Sequence, residues 1–378
     1  MENPKIRPIA MYLPQYHPIP ENDAWWGKGF TEWRNVVKAK PRFKGHYQPH
    51  LPADLGFYDL RLEEARLAQE ALAKQYGIYG FCYYHYWFNG KRLLNEPIDR
   101  KIKNPKEDLP FMFCWANENW TRAWDGGENE ILIEQKYSHD DDENHIRALI
   151  PYFKDERYIK VDGKPVFVIY KDALFPDIKR TLEIFREEAG KHGIGLYLCK
   201  FDLNEKISTD YTSFGFDAAI EFQPFTRQFS DYNNHRARGI KKYFVLNNYL
   251  SFVSRKVFGV AKSRNIKDRI IDFERFVNYE ISNNHSKLKV FPGVCPGWDN
   301  SSRRPKNKAL IFNKMNPDLF KGWVLFKLEN FNHRLDEENF LFINAWNEWA
   351  EGNHLEPCEK WGHSYLVALR DAIRMFNK

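Results

Sequence analysis

The sequence is poor in the features that mark several broad protein classes. Its 378 residues contain no run near the roughly 20 apolar residues that a membrane helix needs. The opening, MENPKIRPIAMYLPQY, has no basic stretch followed by an apolar core and a small-residue cleavage site, so an unexported, cytoplasmic chain is expected. Cysteine is scarce: Cys82, Cys114, Cys199, Cys295 and Cys358 are odd in number and form no C-x-x-C pair. The first four sit in apolar runs such as YGFCYYHYW and FMFCWA, which suggests reduced, buried thiols and not a disulfide framework or a zinc site. The chain also lacks low-complexity segments, internal repeats, a convincing interdomain linker, G-x-G-x-x-G, a P-loop and G-x-S-x-G. The histidines of HYQPH (46–50) are four apart, but Pro49 argues against the helix that would aim both at a metal. No other spacing resembles a zinc, calcium or iron site, so neither metal nor other cofactor is expected.

Aromatic residues, in contrast, are abundant. Twelve Trp, 20 Tyr and 30 Phe make up 16% of a chain that is otherwise of ordinary globular composition, 43% hydrophobic and 29% charged. Rings dominate cores in any case. They also line clefts for sugars, whose apolar C–H faces stack on flat rings while carboxylates and amides meet the hydroxyl rims.

Eight apolar, β-prone runs recur at 6–16, 76–88, 109–118, 164–171, 194–201, 216–224, 288–298 and 339–349. Most are continuous instead of alternating, as expected of strands buried on both faces. Amphipathic helical patterns at 59–76, 140–153, 177–193, 266–281, 320–331 and 364–376 separate most of them. Alternation of this kind predicts parallel βαβ units, and eight of them predict an α/β fold: a single (β/α)8 TIM barrel with insertions, spanning 1–378 as one catalytic domain. A doubly wound open sheet is the alternative.

Each run turns polar or reactive at its C-terminal end, the end that carries the active site in such barrels. In NAWNEWAEG (344–352), Glu348 and Glu351 lie three apart among tryptophans and asparagines. In an extended strand they would face opposite ways, so sharing a pocket requires a turn after Trp349, for which Gly352 supplies a permissive backbone. Two carboxyls in an aromatic, poorly hydrated cleft would have their proton affinities driven apart, leaving one acid and one base for glycosidic bond chemistry. The bland alternative is that one of them merely pairs with a neighbouring arginine. WANENWTRAWDGG (115–127) offers Glu118 and amides beside indoles, and CYYHYWF (82–88) offers His85, which could equally be a satisfied core histidine.

Segment 226–264 holds nine Lys or Arg against one acid, a local charge of +8 in a chain of net +6. Basicity is therefore confined to one insertion, and no nucleic-acid partner is expected. The insertion is a candidate for contact with phosphate groups or with an anionic membrane surface, at the inner membrane face, or is simply a solvated surface.

MYLPQYHPIPENDAWWGKGFTEWRNV, YYHYWF, WANENWTRAWDG and NAWNEWAEGNHLEP together strongly resemble the WbsX-type proteins of bacterial surface-polysaccharide gene clusters, a family similar to the family 99 glycoside hydrolases, the endo-α-mannosidases and endo-mannanases. The resemblance runs from about residue 6 to residue 370, with the basic insertion poorly matched. It implies a metal-independent, retaining mechanism. Glu348 would draw the proton from a sugar 2-hydroxyl, and the oxygen would attack its own anomeric carbon. Glu351 would protonate the departing oxygen and later activate water or an acceptor. The motifs, with the strand ends at Glu221 and Trp298, nominate Tyr12, Tyr16, Trp26, Trp33, Tyr84, His85, Trp87, Asn117, Glu118, Asn119, Trp120, Glu221, Trp298, Trp346, Asn347 and Trp349 as substrate contacts. The expected partner is an oligo- or polysaccharide, with a lipid-diphosphate-linked glycan as one form. A nucleotide-sugar-dependent glycosyltransferase and a non-catalytic glycan-binding protein are the competing readings.

Overall fold

The computed structural model describes residues 6–122, 127–203, 211–226, 229, 231–232, 267–282, 289–331 and 337–377. Most of the basic segment 226–264 therefore lies outside the described residues.

All eight apolar runs form parallel strands: β1 (Arg7–Tyr12), β2 (Gly80–Phe88), β3 (Phe111–Trp115), β4 (Lys164–Ile169), β5 (Tyr197–Asp202), β6 (Ala218–Glu221), β7 and β8 (Phe340–Ile343). β7 is split at Pro292 into Val290–Phe291 and Gly293–Val294. The strands pair in sequence order, with Ile9 opposite Gly80 and Phe113 opposite Phe167. The ring closes through the split strand. Its first half pairs with β6 and its second with β8, while β8 pairs with β1. Gly293 at this junction has a physical cause: a Cβ there would stand 2.0 Å from the Glu221 carbonyl oxygen. The architecture is a (β/α)8 barrel.

The absence of alternation in the strand sequences follows from burial on both faces. Phe111 to Trp115 and Val166 to Ile169 are all buried without exception. The covering helices are α1 (Glu63–Gln75), α2 (His139–Phe153), α3 (Ile178–Gly190), α4 (Phe273–Ser282), α5 (Pro317–Glu329) and α6 (Ser364–Phe376). Their starts are chemically marked: Ser138, Asp177 and Asn316 each accept a backbone N–H of the first turn. Two differences from the sequence pattern stand out. The segment expected as one helix over 266–281 begins as a strand, Arg269–Asp272, paired parallel to Leu310–Asn313, because alternating Ile271 finds an apolar partner there. The β2–β3 crossover is a short helix, Glu96–Lys101, with no long amphipathic stripe to announce it. All five cysteines are free and buried. Among the described residues no helix is long and apolar enough to cross a membrane.

Candidate active site

The C-terminal strand ends open onto a two-lobed cleft. The larger lobe, about 540 Å³, is walled by Tyr84, Tyr86, Tyr170, Phe222, Phe225, Trp298 and polar Asn300, Lys171 and Arg304. The smaller, about 260 Å³, is walled by Leu13, Asn22, Trp25, Trp26, Leu132 and Arg303. Tyr86, Glu118, Asn119, Trp120, Thr121 and Glu348 border both lobes, and Glu351 borders the larger.

The two glutamates share this cleft because the chain turns where the sequence allows it. Asn347–Glu348 pairs antiparallel with Asn353–His354, and between them Trp349–Glu351 winds into a 3-10 turn. Gly352 completes the reversal with φ of 56°, and a Cβ there would lie 2.9 Å from the Asp299 Cβ. The turn is fixed from behind. The Asn347 side chain accepts from Leu13 N–H (2.7 Å) and donates to the Leu13 carbonyl (3.0 Å), tying it to the exit of β1. Trp349 stacks on His354 at 3.8 Å and donates its indole N–H to Glu356 (2.6 Å). Glu356 also accepts from Tyr58 (2.8 Å) and Gln69 (2.7 Å). Burial still raises it to about 7 despite these donors.

A loop after β7 completes the site with a residue that sequence reasoning did not single out. Arg303 Nε donates to Glu32 (2.7 Å), one terminal nitrogen to Glu348 (3.0 Å) and the other to Glu351 (2.9 Å). The loop is clamped from two sides. Asp299 accepts from Gln48 (2.7 Å) and lies 2.6 Å from His46 Nε2, while its N–H donates to the Glu351 carbonyl (2.6 Å). Arg42 donates to Asp268 (2.8 Å) and to the carbonyls of Ser301, Arg304 and Pro305. Burial would push Asp299 up, but the bonds to His46 and Ser301 with nearby imidazoles outweigh it and hold the carboxyl low.

Electrostatically the pair is set apart from ordinary surface carboxylates. Burial drives Glu348 up to about 8; Arg303 opposes this, and the charges of Glu351 and Glu32 reinforce it. Glu351 is raised for the same first reason. Arg303 is itself deprived of solvent, yet its carboxylates hold it charged, well above the usual guanidinium value. The alternative in which one glutamate pairs with an arginine thus holds for both, and both still face the cleft.

Of the residues nominated as substrate contacts, Trp26, Tyr84, Glu118, Asn119, Trp120 and Trp298 line the cleft with the pair. Ten others are buried in supporting positions, which corrects the expectation that they face substrate. On β2 the reason is strand parity: Tyr84 and Tyr86 point one way, His85 and Trp87 the other. His85 meets His145 of α2 at 2.9 Å, and Trp87 donates to Asp141 (3.0 Å). Tyr12 donates to Gln69 (2.7 Å) and Tyr16 to the Asn347 carbonyl (2.5 Å). Trp33 donates to the Tyr58 carbonyl (2.8 Å). Asn117 bridges both backbone groups of Lys171 (2.7 and 2.8 Å). Glu221 pairs with Lys327 (2.6 Å) and accepts from Gly293 N–H (3.0 Å). Trp346, Asn347 and Trp349 are almost wholly buried under the turn. Glu32, Trp25, Tyr86 and Arg303 were missed. Glu32 adjoins the nominated Trp33, and Tyr86 shares the parity of Tyr84; Arg303 sits in a polar loop with no such signal. Among the described residues no group of three or more His, Cys, Asp or Glu side chains is arranged to hold a metal ion.

Comparison with known proteins places this geometry in context. Residues 8–369 match the family model described as Glycosyltransferase WbsX. Two curated proteins from Xanthomonas campestris pv. campestris strains, each named uncharacterized protein WxcX, are 40% identical over 370 residues. That match covers 97% of this chain and 49% of each relative, so the chain spans about half the length of the curated relatives it matches. Among solved structures, a protein titled glycoside hydrolase-like superposes with TM-score 0.58 at 14% identity, covering 99% of this chain and 95% of that one. The family 99 endo-α-mannosidase from Bacteroides thetaiotaomicron, in complex with Bis-tris propane, gives 0.56 at 13% identity, covering 98% and 97%. These structural likenesses establish a shared fold.

Proposed function

The chain belongs to the WbsX glycosyltransferase family, and from that premise we propose that it cleaves or transfers glycosidic bonds with Glu348 and Glu351 as its acid–base pair. One observation carries the reading. Two carboxyls delivered by a single turn face one ring-lined cleft with their proton affinities raised by burial.

In the proposed reaction a sugar sits across the pair, stacked on the rings of the lobes. Glu348 takes the proton of the sugar 2-hydroxyl, whose oxygen attacks the anomeric carbon as the glycosidic bond breaks. Glu351 gives its proton to the departing oxygen. Water, or an acceptor hydroxyl, then loses its proton to Glu351 and opens the strained ring, while Glu348 returns its proton to the 2-oxygen. Each carboxyl ends as it began, and the anomeric configuration is retained. Glu348 lies deeper than Glu351, with side-chain exposures of 7% and 21%, so in the free protein burial favours the shared proton on Glu348. The base role for Glu348 therefore requires that proton to pass to Glu351 as the sugar binds. The substrate proposed is an oligo- or polysaccharide of surface-polysaccharide assembly, with a lipid-diphosphate-linked glycan among its forms; membership of a glycosyltransferase family supports the glycan itself.

The family description names a glycosyltransferase, and a second reading is that transfer uses a nucleotide sugar as donor. Incubation with defined glycans and with nucleotide sugars, each with and without EDTA, separates the two. The first reading expects product from glycan alone with EDTA present. Turnover that needs a nucleotide sugar, and that magnesium or manganese restores after chelation, would replace it with the second.

A further inference from the structure

We propose that Arg303 and Glu32 are positioning residues for the acid–base pair: one guanidinium, anchored on Glu32, orients both carboxyls toward the cleft and offsets part of their charge. The proposal rests on the reading that Glu348 and Glu351 do the chemistry.

The geometry is unusually complete. The three nitrogens of Arg303 are divided among three carboxyls, one each, at 2.7 to 3.0 Å. Each carboxyl therefore spends one oxygen on the guanidinium. Among the described residues, Glu32 Oε2 is buried with no hydrogen-bond partner, and Oε1 accepts from the arginine and from neighbouring Asn35 (3.2 Å). For Glu348 and Glu351 the second oxygens, Oε1 and Oε2 respectively, take no hydrogen bond from the described residues. A planar fork that fixes one oxygen of each carboxyl leaves the other with a defined direction, as a proton-transferring group needs.

The charge count gives the cluster its second property. Three carboxylates surround one cation, so full ionisation would leave a net charge of −2 in a poorly solvated site. A cluster of this kind holds exchangeable protons unless further cations approach. Among the described residues, the other groups facing the pair offset this excess only in part. Burial raises Tyr16, Tyr84, Tyr86 and Tyr170 well above the usual phenol value, so they stay neutral. Glu118 is paired with Lys171 across the larger lobe (2.7 Å). Arg304 acts on Glu351 as a weaker, opposing influence. Arg303 and Glu32 thus push the pair in opposite directions, and this makes the proposal testable without any substrate.

The experiment is an infrared titration of the ligand-free protein from pH 5 to 11. Each variant is referenced to the same background carrying Glu348→Gln and Glu351→Gln, so that only the pair's carboxyl bands remain. Arg303→Met should raise the midpoint by about 1–3 units, the effect of removing an opposite charge at contact distance. Arg303→Lys should raise it less, because an ammonium keeps the charge but cannot reach three carboxyls in one plane. Glu32→Gln should lower it, since the amide oxygen still accepts from Arg303 while one negative charge is gone. On a turned-over glycan, the same variants should move the pH dependence of kcat in the same directions. A purely structural role would change the melting temperature and leave the midpoints in place. Unchanged midpoints in folded Arg303→Lys and Glu32→Gln overturn the proposal, even if Arg303→Met does not fold. Midpoints that shift as expected in a protein that turns over no sugar would overturn the functional reading and leave the electrostatic coupling standing.

Discussion

The two ends of the barrel each bury a cluster of opposite charges, and the clusters are built on different accounts. At the N-terminal end, Arg66 and Lys101 face Glu107 and Glu70. Both oxygens of Glu107 accept from Arg66 (2.7 and 2.9 Å), and those of Glu70 accept from Lys101 (2.5 Å) and from Leu109 N–H (3.0 Å). Charge is balanced and every carboxyl oxygen has a donor. At the C-terminal end, one guanidinium serves three carboxyls, and the surplus oxygens of two of them are left for the cleft. The first arrangement is what a fold requires, because a buried charge without its partner is severely destabilising. The second is what proton transfer requires.

The difference can be broken most forcefully at the cleft. Glu348→Gln keeps the shape of the side chain but cannot exchange a proton, so turnover on the true glycan should fall by about 10²–10⁴-fold. Steady-state product release measured by chromatography checks this, and near-parent activity would remove Glu348 from the chemistry. At the other end, Arg66→Met leaves Glu107 buried without its cation and should cost about 3–5 kcal/mol of stability. Denaturant unfolding reads that loss, and activity per folded molecule should remain.

A pH series sharpens the comparison further. Glu348 has an ordinary value of 4.5 and is raised to about 8 in the fold. Below pH 4.5 it is protonated folded or unfolded and contributes nothing. Between the two values the fold keeps a proton that the unfolded chain releases, so stability falls as pH rises; above about 8 the loss is complete. Relative to the parent, Glu348→Gln should therefore gain melting temperature steadily from pH 5 to 8. A difference that stays flat over this range would contradict the burial account. The smallest effect expected is at the wall between the lobes. Trp120→Ala removes a ring that borders both, and should weaken oligosaccharide binding by about 1 kcal/mol, or roughly fivefold, in titration calorimetry.

Much of the barrel was legible in the sequence because strands buried on both faces must be apolar throughout, and runs such as Phe111 to Trp115 satisfy nothing else. The turn that brings Glu348 and Glu351 together was legible from Gly352. The error on β2 came from choosing residues by chemistry without applying parity: His85 is the more reactive side chain, yet Tyr84 and Tyr86 face the cleft. Arg303 was not legible for a different reason. Its meaning depends on loops after β1, β7 and β8 meeting in space, and within SSRRPKNK it reads as one more charge on a polar loop. Glu32 was hidden likewise, beside Trp33, whose indole drew attention but serves the core.

The central claim, that carboxyl surplus at one end does chemistry while balance at the other holds the fold, is tested most directly by Glu351→Gln and Glu107→Gln measured side by side at pH 7 for kcat and melting temperature. The account predicts that Glu351→Gln loses turnover and melts no earlier than the parent, while Glu107→Gln melts earlier and keeps its turnover per folded molecule. Sustained turnover in Glu351→Gln, or equal loss of turnover in both, would contradict it.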